Sequence, residues 1–126
     1  MKYDPCKATS IMVPYIVLRM IIKSKKNHFL ITALPMSLTT ISFHHKLIDN
    51  IRKYDIAISL IAYIHHIIYY SVYAKKKRNN YFIIPGTLYL VDKIFEDFNF
   101  IKTSHYFHAL SHLSVIPCVY LNTNIK

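Results

Sequence analysis

Apolar positions gather into five blocks, at about 11–22, 29–44, 56–73, 81–95 and 105–121. None shows the strict alternation of a half-buried strand, and no Asn-Gly or Asp-Gly hairpin dipeptide separates them. The pattern predicts helices. The first block carries Pro14 and Arg19 and reads as a partial span or an interfacial helix. Pro35 interrupts the second. The third is nearly all Ile, Ala, Leu and Tyr, broken by His65 and His66, and the fourth opens with Pro85 and Gly86. Linkers of about 6–11 residues make neighbouring helices antiparallel.

These blocks are shorter than the ~20 residues that carry a helix across a bilayer core. Flanking Tyr and Lys side chains extend a short span to the interface. Tyr69, Tyr70, Tyr73, Tyr81, Tyr106 and Tyr120 stand near block ends. Equal lengths also suit a soluble helical bundle with an apolar core. The expected architecture is all-α: one domain over 1–126, a multi-pass transmembrane bundle of about four to five short helices. Such a protein is integral to a membrane, with the lipid bilayer as its partner.

Composition favours the bilayer. Hydrophobic residues make up 53% of 126, with mean hydropathy +0.24, yet the formal net charge is +10. A soluble domain rarely has so much apolar surface left over. Basic residues form runs between the apolar blocks, Lys23-Ser24-Lys25-Lys26 and Lys75-Lys76-Lys77-Arg78. A nucleic-acid-binding chain would interleave them on one face, so no nucleic-acid partner is expected. Alternation of five segments would put Lys23, Lys25, Lys26, Lys75, Lys76, Lys77, Arg78 and Lys126 on one side. All six acids, Asp4, Asp49, Asp55, Asp92, Glu96 and Asp97, would fall on the other. The positive-inside rule places the basic side in the cytoplasm.

Some chemistries are excluded early. Gly86 is the only glycine, which leaves no phosphate-cradling loop. Cys6 and Cys118 lie far apart and suggest neither a zinc knuckle nor a disulfide framework. The run from Asp92 to Asp97 reads as a solvated helix end. No small-x-small cleavage site follows the first block, so a signal peptide is not expected.

Eight histidines remain to be placed. His44-His45 ends the second block, His65-His66 sits within the third, and His105, His108 and His112 open the fifth at helical spacing. In an apolar helix a histidine is ordinarily hydrogen-bonded to a neighbour, which is the reading for His28, His65 and His66. Inside a membrane an ionisable group more often marks a site. Alternation puts His44, Asp55, His108 and His112 at one face and similar depth. Three imidazoles and a carboxylate match the donors of a catalytic zinc site, with Asp55 binding through water or acting as base.

The pattern Thr40-x-x-x-His44, Asp55 eleven positions on, and His108-x-x-x-His112 resembles the superfamily of alkaline ceramidases, progestin/adipoQ receptors, haemolysin-III-like proteins and related lipid remodellers. Those are seven-helix membrane proteins with Ser-x-x-x-His, Asp and His-x-x-x-His on successive helices, and metal-dependent lipid amide or ester hydrolases where an activity is known. The resemblance implies His44, His108 and His112 as zinc ligands. It implies Asp55 assisting catalysis, Thr40 standing where the family has Ser, and a lipid substrate. This sequence has five apolar blocks, so it would be a short or truncated member. The expectation is a zinc-dependent, hydrolase-like membrane protein. The alternatives are a non-enzymatic membrane protein acting by packing, or an enzyme remnant that keeps ligands without a pocket.

Overall fold

A computed structural model describes residues 5–75 and 80–125. The described chain is helical: α1 (Pro5–Ser24), α2 (Leu30–His44), α3 (Arg52–Tyr73), α4 (Ile84–Asp97) and α5 (Ile101–Thr123), with short 3-10 turns at Asn27–Phe29 and Asn80–Phe82. Three helices begin well before their apolar blocks. The added turns carry Lys7, Arg52, Lys53 and Lys102, polar residues that continue a helix as readily as apolar ones. At 1.5 Å per residue, α1, α3 and α5 are roughly 30, 33 and 35 Å long, against about 22 and 21 Å for α2 and α4.

Helix ends follow local chemistry. Pro5 opens α1, where its missing N–H costs nothing. With no glycine available, Lys25, Lys46 and Asn99 take the left-handed turn after α1, α2 and α4, at φ 62°, 53° and 64°. Asn tolerates that region because its short side chain bonds locally. Pro14, Pro35 and Pro117 lie within α1, α2 and α5. Pro35 does not break its helix as the sequence pattern suggested. Each proline removes one backbone bond, and packing against neighbouring helices carries the chain through.

Packing runs in the order α4, α5, α1, α2, α3, with α3 also touching α5. Cross-helix bonds fix the directions. Cys6 donates to the His105 carbonyl at one end of the α1–α5 pair, and Lys26 donates to the Asn122 and Ile125 carbonyls at the other. These two helices are therefore parallel. Ser10 pairs with His45, Thr40 with Asp55, and Ser104 with Asp92, so α2 and α4 run opposite. The five helices alternate. One end of the bundle gathers every described acid, Asp49, Asp55, Asp92, Glu96 and Asp97, interspersed with Lys7, Lys46, Arg52, Lys53, Lys93 and Lys102; it is called the acidic end because the other, basic end has Lys23, Lys25, Lys26 and Lys75 and no described acid. Asp4, Lys76, Lys77, Arg78 and Lys126, on which the charge sorting also drew, lie outside the described residues.

The interior is part apolar and part polar, and the exterior carries many large apolar side chains. An apolar core of Val13, Val17, Ile21, Phe29, Ala33 and Val119 occupies the half toward the basic end. In the other half the buried side chains include Thr9, Ser10, Thr40, Asp55, Asp92 and Ser104. Outside, Ile61, Ile64, Ile68 and Val72 of α3 and Ile31, Leu34 and Leu38 of α2 are exposed. Among the described residues two helices, α1 and α3, are long and apolar enough to cross a membrane, with mean hydropathies of 1.3 and 1.4.

Candidate metal centre

The acidic end brings three imidazoles together. His44 is the last residue of α2, which directs its ring across the bundle toward α5. His108 and His112 stand one turn apart on α5. Ring centroids are 5.0 Å apart for His44 and His108, 5.0 Å for His44 and His112, and 4.7 Å for His108 and His112.

Two of these rings are held from behind. His108 Nδ1 lies 2.8 Å from Asp92 Oδ2, and Asp92 also accepts from Ser104. Asp92 is 1% exposed, an anion that stays buried because both partners donate to it. His112 Nδ1 lies 2.8 Å from Thr9 Oγ1, which also bonds the Pro5 and Cys6 carbonyls. With Nδ1 of both rings so engaged, Nε2 is the nitrogen left to face an ion. Metal-binding histidines are oriented in the same way.

A sulfur joins them. The ligand atoms of Cys6, His44 and His108 all lie within 4.8 Å of one another, so the cluster can hold a metal ion. Donors on one tetrahedral ion lie about 3.3–3.8 Å apart for metal–donor bonds of ~2.0–2.3 Å, so side-chain rotations that bring the atoms about 1 Å closer complete the cluster. The donor set nearest to converging therefore differs from His44, His108 and His112: Cys6 stands closer, with the His112 ring beside the other two. Cys6 comes from the first turn of α1, ahead of its apolar block. Thr9 and Ser10 share its face and bond to His112 and His45.

Asp55 and Thr40 meet, as alternation requires. Thr40 Oγ1 donates to Asp55 Oδ1 at 2.8 Å, and Thr39 Oγ1 lies 3.1 Å from the same oxygen. Both residues line the cavity that holds Cys6, His44, His108 and His112. Its volume is about 1570 Å³. It extends past Val13, Val17 and Ala33 to His66 and Val119, with walls largely apolar beyond the cluster.

Other polar residues separate out. The His105 ring is exposed, and only its backbone carbonyl serves the site. His28, His65 and His66 form a second group toward the basic end, described below. In the run from Asp92 to Asp97, Asp97 is exposed and Glu96 pairs with Arg52 and Lys93. Asp92 departs from the expected solvated end: it points inward to His108.

Comparison with protein families, curated proteins and solved structures finds no match.

Proposed function

We propose that the chain is a multi-pass membrane protein whose acidic end binds a divalent metal ion, and that it acts as a zinc-dependent, hydrolase-like protein on a lipid amide or ester. The observation that carries this reading is the convergence of His44, His108 and His112 beside the Asp55–Thr40 pair on one cavity. The apolar exterior and the buried polar groups support the membrane part: large apolar side chains of α2 and α3 face outward, and the buried Asp55 and Asp92 are hydrogen-bonded within the bundle, as hydrocarbon surroundings demand.

Each residue has a role in this reading. His44, His108 and His112 hold the ion, and Asp92 and Thr9 fix two of those rings. Thr40 anchors the Asp55 carboxylate, which takes the proton from an attacking water as general base. A bound zinc ion supplies Lewis acidity toward a carbonyl oxygen. The apolar length of the cavity takes an acyl chain, and N and S donors in a half-buried site suit zinc better than magnesium or calcium.

The test has two steps on one preparation. Membranes washed with alkaline carbonate retain the protein, and the detergent-purified chain carries one zinc per molecule. His108→Ala, folded by circular dichroism, carries none. Release by carbonate would remove the membrane reading. Absence of stoichiometric metal from the wild type would remove the hydrolase reading and leave a non-enzymatic membrane protein that works through its apolar exterior.

A further inference from the structure

We propose that Cys6 is a fourth donor to the same ion, and that the first turn of α1 closes the centre against substrate when its sulfur binds. This rests on the reading above that the acidic end holds a metal; it adds how access to that metal is controlled.

Three observations lead there. Cys6 Sγ is among the three ligand atoms within 4.8 Å of one another. Its α1 neighbour Thr9, one turn on, holds His112, so this turn of α1 already shares in the centre's architecture. Cys6 is buried at 2% exposure and lines the cavity wall.

The present position of the sulfur defines the other state. Sγ donates to the His105 carbonyl at 3.2 Å, which requires a protonated thiol. A metal ligand is the thiolate. Passing from one to the other takes a side-chain rotation within one helical turn, loss of the thiol proton to solvent and of the hydrogen bond to the His105 carbonyl, and formation of a metal–sulfur bond in place of the water in the open position. With sulfur bound beside His44, His108 and His112, four protein donors surround the ion, as in closed structural sites. With sulfur back on the His105 carbonyl, one position is open, as in catalytic sites. The N-terminal turn of α1 then acts as an autoinhibitory plug, and a substrate entering the cavity competes with Cys6 for that position.

Cobalt(II) tests this without any assay of activity. The full chain in detergent is titrated with cobalt in place of zinc, alongside Cys6→Ser and Cys118→Ser. Tetrahedral cobalt gives visible d–d bands, and a thiolate ligand adds a charge-transfer band in the near ultraviolet. We expect the charge-transfer band in wild type and in Cys118→Ser, and its loss in Cys6→Ser with the d–d bands kept. A second measurement needs no change at Cys6: in Cys118→Ser the remaining thiol should be alkylated far more slowly with metal bound than without. Cobalt that binds with d–d bands alone, or alkylation that metal leaves unchanged, would overturn the role of Cys6 while the histidine centre stands. Failure to bind cobalt at all would bring down both.

Discussion

Two clusters of three histidines, one toward each end of the bundle, are built differently; His45 and His105 also stand at the acidic end, outside the cluster. At the acidic end, His108 and His112 are tied at Nδ1 to Asp92 and Thr9, and their rings stand edge-on to His44. At the other, the nitrogens are spent on neighbours. His66 Nδ1 accepts from Asn122, its ring stacks on Phe29 at 4.4 Å with planes 1° apart, and His65 lies 3.0 Å from Thr32 and 3.3 Å from His28. The difference is what each ring does with its second nitrogen. With a carboxylate or hydroxyl on Nδ1, His108 and His112 keep Nε2 for an ion, whereas His65 has Thr32 on one nitrogen and His28 beside the other, and His66 is held by an amide and by stacking. Sequence position alone does not distinguish His66 from His112, since both sit in apolar helices.

Two substitutions test that contrast. The larger effect on metal is expected from Asp92→Asn, which keeps shape and a hydrogen-bond acceptor but removes the charge behind His108. Loss of an outer partner to a ligating histidine costs ~10–100-fold in metal affinity. Competition with a chromogenic chelator reads this in the detergent-purified protein. Unchanged affinity would mean that the Asp92–His108 pair is structural, and the two ends would then be alike.

Asn122→Leu is the mirror experiment. Asn122 is 0% exposed, and its amide serves both His66 Nδ1 and the His66 carbonyl. Leucine has similar bulk and leaves both acceptors unsatisfied, at about 1–3 kcal/mol. A lower midpoint of thermal unfolding is expected, with metal affinity unaltered. A fall in metal binding as large as that of Asp92→Asn would show that the two histidine groups are coupled and the contrast is false.

The five helices and their alternation were legible because apolar blocks and short linkers leave few other arrangements. That alternation also brought His44, His108, His112, Asp55 and Thr40 to one end from positions up to 72 apart in number (112 − 40). Cys6 and Asp92 were not legible. Cys6 sits on a polar helical turn before the first apolar block, where periodicity has no purchase. Asp92 stands in a charged run that resembles a solvated end until α5 packs over it. Pro35 misled because local propensity says break, while packing on two sides holds the helix. Contacts between helices decided all three.

The smallest effect concerns how the two ends are tied between α3 and α4, which pack little against each other directly. At the basic end the tie is neutral, the Tyr63 hydroxyl donating to the Phe82 carbonyl. At the acidic end it is ionic: Glu96, just past the fourth apolar block, lies 3.2 Å from Arg52 and 3.0 Å from Lys93. The Lys93 ammonium, and after it the Arg52 guanidinium, hold the Glu96 carboxyl below the usual carboxylate range against the opposing pull of partial burial. A carboxyl lowered in the folded state stabilises it fully above the unfolded-state value, and that contribution is lost as pH falls through the folded one. Acid should therefore loosen the acidic end and leave the Tyr63 tie untouched. The side chains of Arg52 and Glu96 are 51% and 38% exposed, so solvent screening keeps the effect at or below the ~0.2–1 kcal/mol of surface pairs. The measurement is the thermal midpoint of wild type and Glu96→Gln between pH 7 and acid, at low and high salt. At low salt the two should differ near neutrality and converge in acid, and high salt should erase the difference. Parallel curves at every pH would show that the ion pair ties nothing, and that the acidic end is held by its buried groups alone.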